Sequence, residues 1–204
     1  MPTPKLIITI RNSVFYIDRL RKYRIDSSTL EAKYQHFIAE MIMLRLFSIF
    51  EHSVSEIAFK IASGAIYLNG KTPVLASQAG SIVGARSLFL NYGRRSPRQN
   101  LQWTKSKYIR ESVEHVISTT DPFINASNRN GIIIDEMRKI RNILAHSSKK
   151  AREDYKSLIR ITYGANLNIT PGAFLSSTKR SHICNLERYL GLTKIILQDM
   201  ASGT

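Results

Sequence analysis

Gly131-Ile-Ile-Ile-Asp-Glu-Met-Arg-Lys-Ile-Arg-Asn-Ile-Leu-Ala-His146 is the run on which the reading of this chain turns. On an ideal helix, at about 100° per residue, Ile133, Met137, Ile140 and Leu144 form one apolar stripe, and Asp135, Arg138, Asn142 and His146 form the opposite one. A strand would alternate every second residue, which this run does not do. Arg141 lies between the two stripes, at a nominal angle of about 140° to His146. On a straight helix these two side chains cannot easily grip the same phosphate. Either the helix bends or ends before His146, or a second copy of the chain completes the site.

The same periodicity extends outward in both directions. Ile10, Val14 and Ile17 predict a first helix over residues 10–24, which ends in the basic run Arg19, Arg21, Lys22 and Arg24. Ser28 and Glu31 have capping-box spacing ahead of a long helix over 30–63, whose stripe is Phe37, Met41, Leu44, Phe47, Val54, Ala58 and Ile61. Gly64 and Asn69-Gly70 end it. Residues 70–104, broken by Thr72-Pro73, Ala79-Gly80 and Ser96-Pro97, predict short helices joined by turns. Ile109, Val113 and Val116 predict a helix over 105–118, and Asp121-Pro122 opens a turn. Between 158 and 175, Leu158–Tyr163 and Leu167–Thr170 alternate apolar and polar ahead of Thr170-Pro171-Gly172, the pattern of a small β-hairpin. Ile183, Leu186, Leu190 and Leu197 mark a last helix over 178–199. The expected architecture is all-α, a single domain over 1–204 with a bundle of four to five main helices and that hairpin.

Charge narrows the partner. Lys and Arg number 30 against 15 Asp and Glu, a formal net charge of +15. Such an excess favours a polyanion, with RNA the expected one, over a merely solvated surface. The single cysteine, Cys184, can form no disulfide within the chain and reads as a small core residue in a reducing, cytoplasmic setting. Leu6–Ile10 is too short for the apolar core of a secretion signal, and no run of 18 apolar residues exists, so no membrane association is expected. Nucleotide-hydrolysing, dinucleotide-binding and serine-hydrolase loops are absent, the acidic residues are scattered, and Cys and His lack metal-ligand spacing. No cofactor or metal is therefore expected. His115, His182 and His52 read as structural or surface histidines.

Arg141-Asn142-Ile-Leu-Ala-His146 resembles the R-x4–6-H signature of the HEPN superfamily, many of whose members are metal-independent endoribonucleases. Arg141 takes the place of the signature arginine, Asn142 of the polar residue that follows it, and His146 of the histidine. Phe47-Ser-Ile-Phe-Glu-His-Ser-Val-Ser-Glu-Ile-Ala58 is similar to the long early helix of the RiboL-PSP-HEPN-like branch, with Glu51 in its aromatic-Glu pair. The resemblance covers about residues 30–160. It implies a HEPN-like helical bundle and a homodimer whose signature segments meet in a composite active site. It also implies a toxin–antitoxin or phage-defence setting with an antitoxin or regulatory protein. The residue types suit the chemistry. RNA carries its own nucleophile in the 2′-OH, a histidine can move the proton, and an arginine fork can hold the phosphate and its developing charge. The expected products are a 2′,3′-cyclic phosphate and a 5′-hydroxyl. Glu51 falls on the apolar stripe, so it either pairs with a buried arginine such as Arg141 or reaches water at the rim. A HEPN-like domain that only binds RNA or a protein partner is the alternative.

Further basic residues complete the expected interface. Arg94, Arg95, Arg98, Lys105, Lys107 and Arg110 fall within seventeen residues that hold no acid, interleaved with Tyr92, Trp103 and Tyr108. The arginines and lysines are expected to contact phosphate, and Trp103 to anchor the core. Arg138 and the run Lys149, Lys150 and Arg152 on either side of the signature would widen the same electropositive surface.

Overall fold

A computed structural model describes residues 3–146 and 148–204. These residues form the helices α1 (Leu6–Asp26), α2 (Ala32–Ala62), α3 (Ile82–Asn91), α4 (Ser106–Val113), α5 (Pro122–Arg129), α6 (Gly131–Ala145), α7 (Lys149–Tyr163), α8 (Pro171–Ser176) and α9 (Asn185–Ser202). No strand is present among the described residues, where an isolated antiparallel bridge joins Leu75 and Ile117. The fold is all-α. None of the described helices is long and apolar enough to cross a membrane. The described residues group into two compact units, one within 3–14, 50–134 and 194–204, the other within 15–49, 135–146 and 148–193.

In the first unit, α4 packs against α3 and α5. Val54, Ile57, Ala58 and Ile61 of α2 are buried, as are Phe89, Val113, Phe123 and Leu197. Trp103 is buried too, edge-on to Phe59 at 5.8 Å, as its reading as a core anchor requires. Asp121 does more than open a turn. It is fully buried and caps α5, accepting from the Phe123 amide at 2.9 Å and the Val74 amide at 2.8 Å, while Tyr67 donates its hydroxyl to the same carboxylate. Pro122 follows at the first helical position, where a missing N–H costs nothing. Burial and this carboxylate push the Tyr67 phenol up, so it stays a donor.

In the second unit, Ile17, Leu20, Met43, Leu46 and Phe47 are buried, with Met137 and Ile140 of α6, Leu158 and Ile159 of α7, and Leu190 of α9. Glu40 accepts the Gly172 amide at 2.8 Å. A Cβ on Gly172 would lie 2.7 Å from the His36 carbonyl oxygen, so α8 can approach α2 this closely only with glycine there.

Three sequence expectations are corrected. The hairpin over 158–175 does not form. Leu158–Tyr163 is the end of α7, where Ala151, Tyr155, Leu158 and Ile159 bury one helical face, and Gly164 ends the helix at φ +72°. Two β-branched isoleucines imitated strand alternation across a single helical turn. On α2, Phe37 and Met41 are exposed, and Ala39, Ile42, Met43 and Leu46 are buried instead. The stripe was drawn one to two residues off register in the helix's first half. Ser27–Thr29 forms a 3-10 turn rather than a capping box, and Glu31 pairs with Lys33 at 3.0 Å.

Candidate functional site at the end of α6

The last turn of α6 resolves the choice posed by its helical wheel. The helix stops at Ala145, and the His146 amide still donates to the Asn142 carbonyl at 2.9 Å. His146 itself has left the helical path, so its side chain is free to turn back. Its Nε2 lies 3.2 Å from Arg141 Nη1, and the same Nη1 donates to Asn142 Oδ1 at 3.2 Å. Arg141, Asn142 and His146 therefore meet within one chain. Arg141 and Asn142 are half-buried and His146 is exposed, so the cluster opens to solvent. A guanidinium only donates, so a hydrogen bond in this contact requires Nε2 as the acceptor.

One turn back, Arg138 is held on its own helix. Its Nε and Nη2 donate to Asp135 Oδ1 at 3.0 and 2.9 Å, Lys139 reaches the other oxygen at 3.0 Å, and Asp154 lies 3.8 Å away. Burial pushes the Asp135 carboxyl up, but the hydrogen bonds and charges of Lys139 and Arg138 outweigh it and hold the group below the usual carboxylate range. With its fork committed to Asp135, Arg138 is a weaker phosphate contact than its position suggested. Lys149 and Lys150, in the first turn of α7, are exposed.

On the same helix, Glu136 centres a cluster that the sequence reading missed. Glu136 is buried on α6 and accepts both Arg180 nitrogens at 3.1 Å, Arg188 Nη1 at 3.3 Å and the Tyr189 hydroxyl at 2.9 Å. Burial raises its carboxyl, and the hydrogen bonds of Arg180 and Tyr189 with the two guanidinium charges more than offset this, leaving it below the usual range. Its partners lie 44 to 53 residues away in sequence, so no local spacing announces them. A clue was present nonetheless: Glu136 falls at the edge of the Ile133–Ile140 stripe, where an ionised carboxylate needs a partner.

Glu51 is half-buried on α2, in the first unit, whereas Arg141, Asn142 and His146 belong to the second.

The stretch 94–110 is less free than its composition implied. Arg94 is a structural group: its side chain is 7% exposed, and it donates to the carbonyls of Phe89, Glu111 and Ser112 and to Glu114 Oε1 at 2.8 Å. The run itself holds no acid, but α4 and its C-cap residue place Glu111 and Glu114 alongside it, with Arg98 3.7 and 3.6 Å from them and Lys107 3.8 Å from Glu111. Arg95 and Arg110 are exposed, and Lys105 is half-buried. Arg94→Ala is expected to lower unfolding stability by about 2–4 kcal/mol, because three carbonyls and a carboxylate lose their donor. Chemical denaturation checks this; an unchanged midpoint with lost RNA affinity would restore Arg94 as a phosphate contact.

Set against family models, curated proteins and solved structures, the chain matches none of them.

Proposed function

We propose that this chain is a metal-independent endoribonuclease of the HEPN type, with Arg141, Asn142 and His146 as its catalytic cluster. The observation that carries the reading is the position of Arg141 Nη1, 3.2 Å from both His146 Nε2 and Asn142 Oδ1, on the open end of a helix in a chain of net charge +15. A phosphate bound by the Arg141 fork would bring the neighbouring ribose within reach of the imidazole. His146 Nε2 takes the proton of the 2′-OH, the 2′ oxygen bonds to phosphorus, and the phosphorus–5′-oxygen bond breaks. The 5′ oxygen takes a proton from water, leaving a 2′,3′-cyclic phosphate and a 5′-hydroxyl. Arg141 offsets the charge that gathers on the phosphoryl oxygens. Asn142 orients the guanidinium.

Unpaired RNA is the preferred substrate in this reading, since in-line attack needs a flexible backbone. The working form would be a homodimer that doubles the local positive charge. The setting would be cytoplasmic, in a toxin–antitoxin or phage-defence system with a protein that restrains the enzyme. A substrate carrying a single 2′-O-methyl group at the cut position tests the chemistry: cleavage there should stop and continue at unmodified sites. Continued cleavage at the methylated position would exclude 2′-OH attack.

A second reading rests on the same contact. Arg141 occupies Nε2, the atom that must accept the proton. If the contact persists when RNA is bound, the chain binds RNA without cutting it.

A further inference from the structure

We propose that the cavity between α7 and the segment 166–171 holds one nucleoside phosphate of an unpaired RNA strand, and that it sets base preference. This rests on the RNA reading above and adds a subsite to it. The cavity measures about 740 Å³. That is within the roughly 300–1,000 Å³ of small-molecule sites. Ile143, Ile159, Leu167 and Pro171 give it an apolar lining suited to the face of a base. Ile143 directly follows Asn142, so the cavity adjoins the helix end that carries the catalytic cluster.

Its polar groups are donors in excess. Arg152 and Lys156 stand one helical turn apart on α7 and line the cavity, as do Asn166 and Asn168 on the facing segment. All four are exposed, and none is tied up in an ion pair or side-chain hydrogen bond among the described residues. The Tyr155 hydroxyl, by contrast, is already donated to the Ile169 carbonyl at 3.1 Å and serves to hold the segment in place. No carboxylate lines the cavity. Two free cations, two free carboxamides and an apolar wall match the three parts of a nucleotide. The cations suit the phosphate, the amides suit the hydrogen-bonding edge of the base, and the wall suits its face.

Binding of short labelled single-stranded RNAs, each of one base, tests this by fluorescence anisotropy in the full chain carrying His146→Ala, which keeps the RNA intact. Arg152→Ala/Lys156→Ala should weaken every oligomer and reduce the salt dependence of affinity by about 0.7, the value for one lost single-strand phosphate contact. Asn166→Ala/Asn168→Ala should instead level the differences between oligomers. The substituted side chains are exposed, so folding is spared. The four nucleoside 5′-monophosphates serve as competitors and should bind far more weakly than the oligomers. Equal affinity would overturn the assignment to an RNA strand and make the occupant a free nucleotide. If neither pair of substitutions alters affinity or preference while the native chain still cuts RNA, the subsite is wrong and the nuclease reading stands. If both act as described and the native chain cuts nothing, the subsite stands and the nuclease reading fails.

Discussion

His146→Ala is expected to reduce RNA cleavage by at least about 10²–10⁴-fold, the usual contribution of a positioned proton-transfer group, and so to below detection in an ordinary gel assay. The expected loss is large because the imidazole is the one side chain of the cluster able to accept the 2′-OH proton. Folding should be untouched. His146 is exposed and lies beyond the last residue of α6, so its removal leaves no cavity and breaks no core contact. RNA affinity should fall little, because Arg141 keeps its phosphate fork. Arg141→Lys should also be strongly impaired, since an ammonium lacks the planar fork that can serve phosphate and Asn142 together. The readouts are initial rates, thermal unfolding and RNA affinity measured on the same preparations. A His146→Ala protein that cuts at the native rate would remove the histidine from the mechanism.

The largest expected effect on stability comes from Glu136→Gln. The substitution keeps the shape and removes the charge, leaving Arg180 and Arg188 facing a neutral amide at positions only 27% and 23% exposed. Breaking a buried pair from one side typically costs about 3–5 kcal/mol; the residual solvent access of both arginines lowers the expectation to about 2–3 kcal/mol. The cost falls on the helix that carries the candidate cluster, so the rate should fall as well, by a smaller factor than in His146→Ala. The acid limb of stability should change too. Folding lowers the pKa of the Glu136 and Asp135 carboxyls, so as pH falls the unfolded chain takes up protons first. Their contribution is present above the ordinary carboxylate range, near pH 4–5, and is lost as pH drops through and below it. Glu136→Gln removes its share of that loss and should make the acid limb shallower. Denaturation midpoints measured from pH 7 down to 3 test both statements; a variant with native stability and a native acid limb would show that the cluster does not anchor α6.

Where local periodicity decides structure, the sequence was legible. α6 is a helix as its periodicity requires, and Met137 and Ile140 of its stripe are buried, but Ile133 and Leu144 are half-buried and Ile134 and Glu136 take inner positions. The long α2 was legible as a helix, but not the face it buries in its first half. There Phe37 and Met41 are exposed, and Ala39 and Met43 take the inner positions. Apolar residues surround that part of α2, so periodicity alone does not choose between faces. α7 escapes the sequence reading because Lys149, Lys150 and Arg152 read only as a basic surface and its last six residues alternate like a strand. Ser148 and Gly164, the caps at its two ends, were the better signal: the Ser148 hydroxyl accepts from the Ala151 amide at 3.2 Å.

For the candidate site, Arg141, Asn142 and His146 could be named from their order in the chain, but their meeting depended on where α6 stops. A fifteen-residue helix ending at Ala145 rather than His146 is a difference of one residue, finer than periodicity resolves. The basic residues were harder to sort. Arg94 and Arg95 are neighbours of identical type, yet one is buried among carbonyls and the other is exposed. Only the return of α4, with Glu111 and Glu114, separates them. Glu136 lay beyond reach for the same reason, because its arginine and tyrosine partners are distant in sequence.

The central claim is that Arg141, Asn142 and His146 cut RNA through its own 2′-OH without a metal. Its most direct test is incubation of the purified native chain with a structured RNA in EDTA, beside an Arg141→Ala/His146→Ala double variant, followed by end-group analysis. Fragments ending in 2′,3′-cyclic phosphate and beginning with 5′-hydroxyl are expected from the native chain alone. Intact RNA in both reactions, or equal cleavage in both, would contradict it.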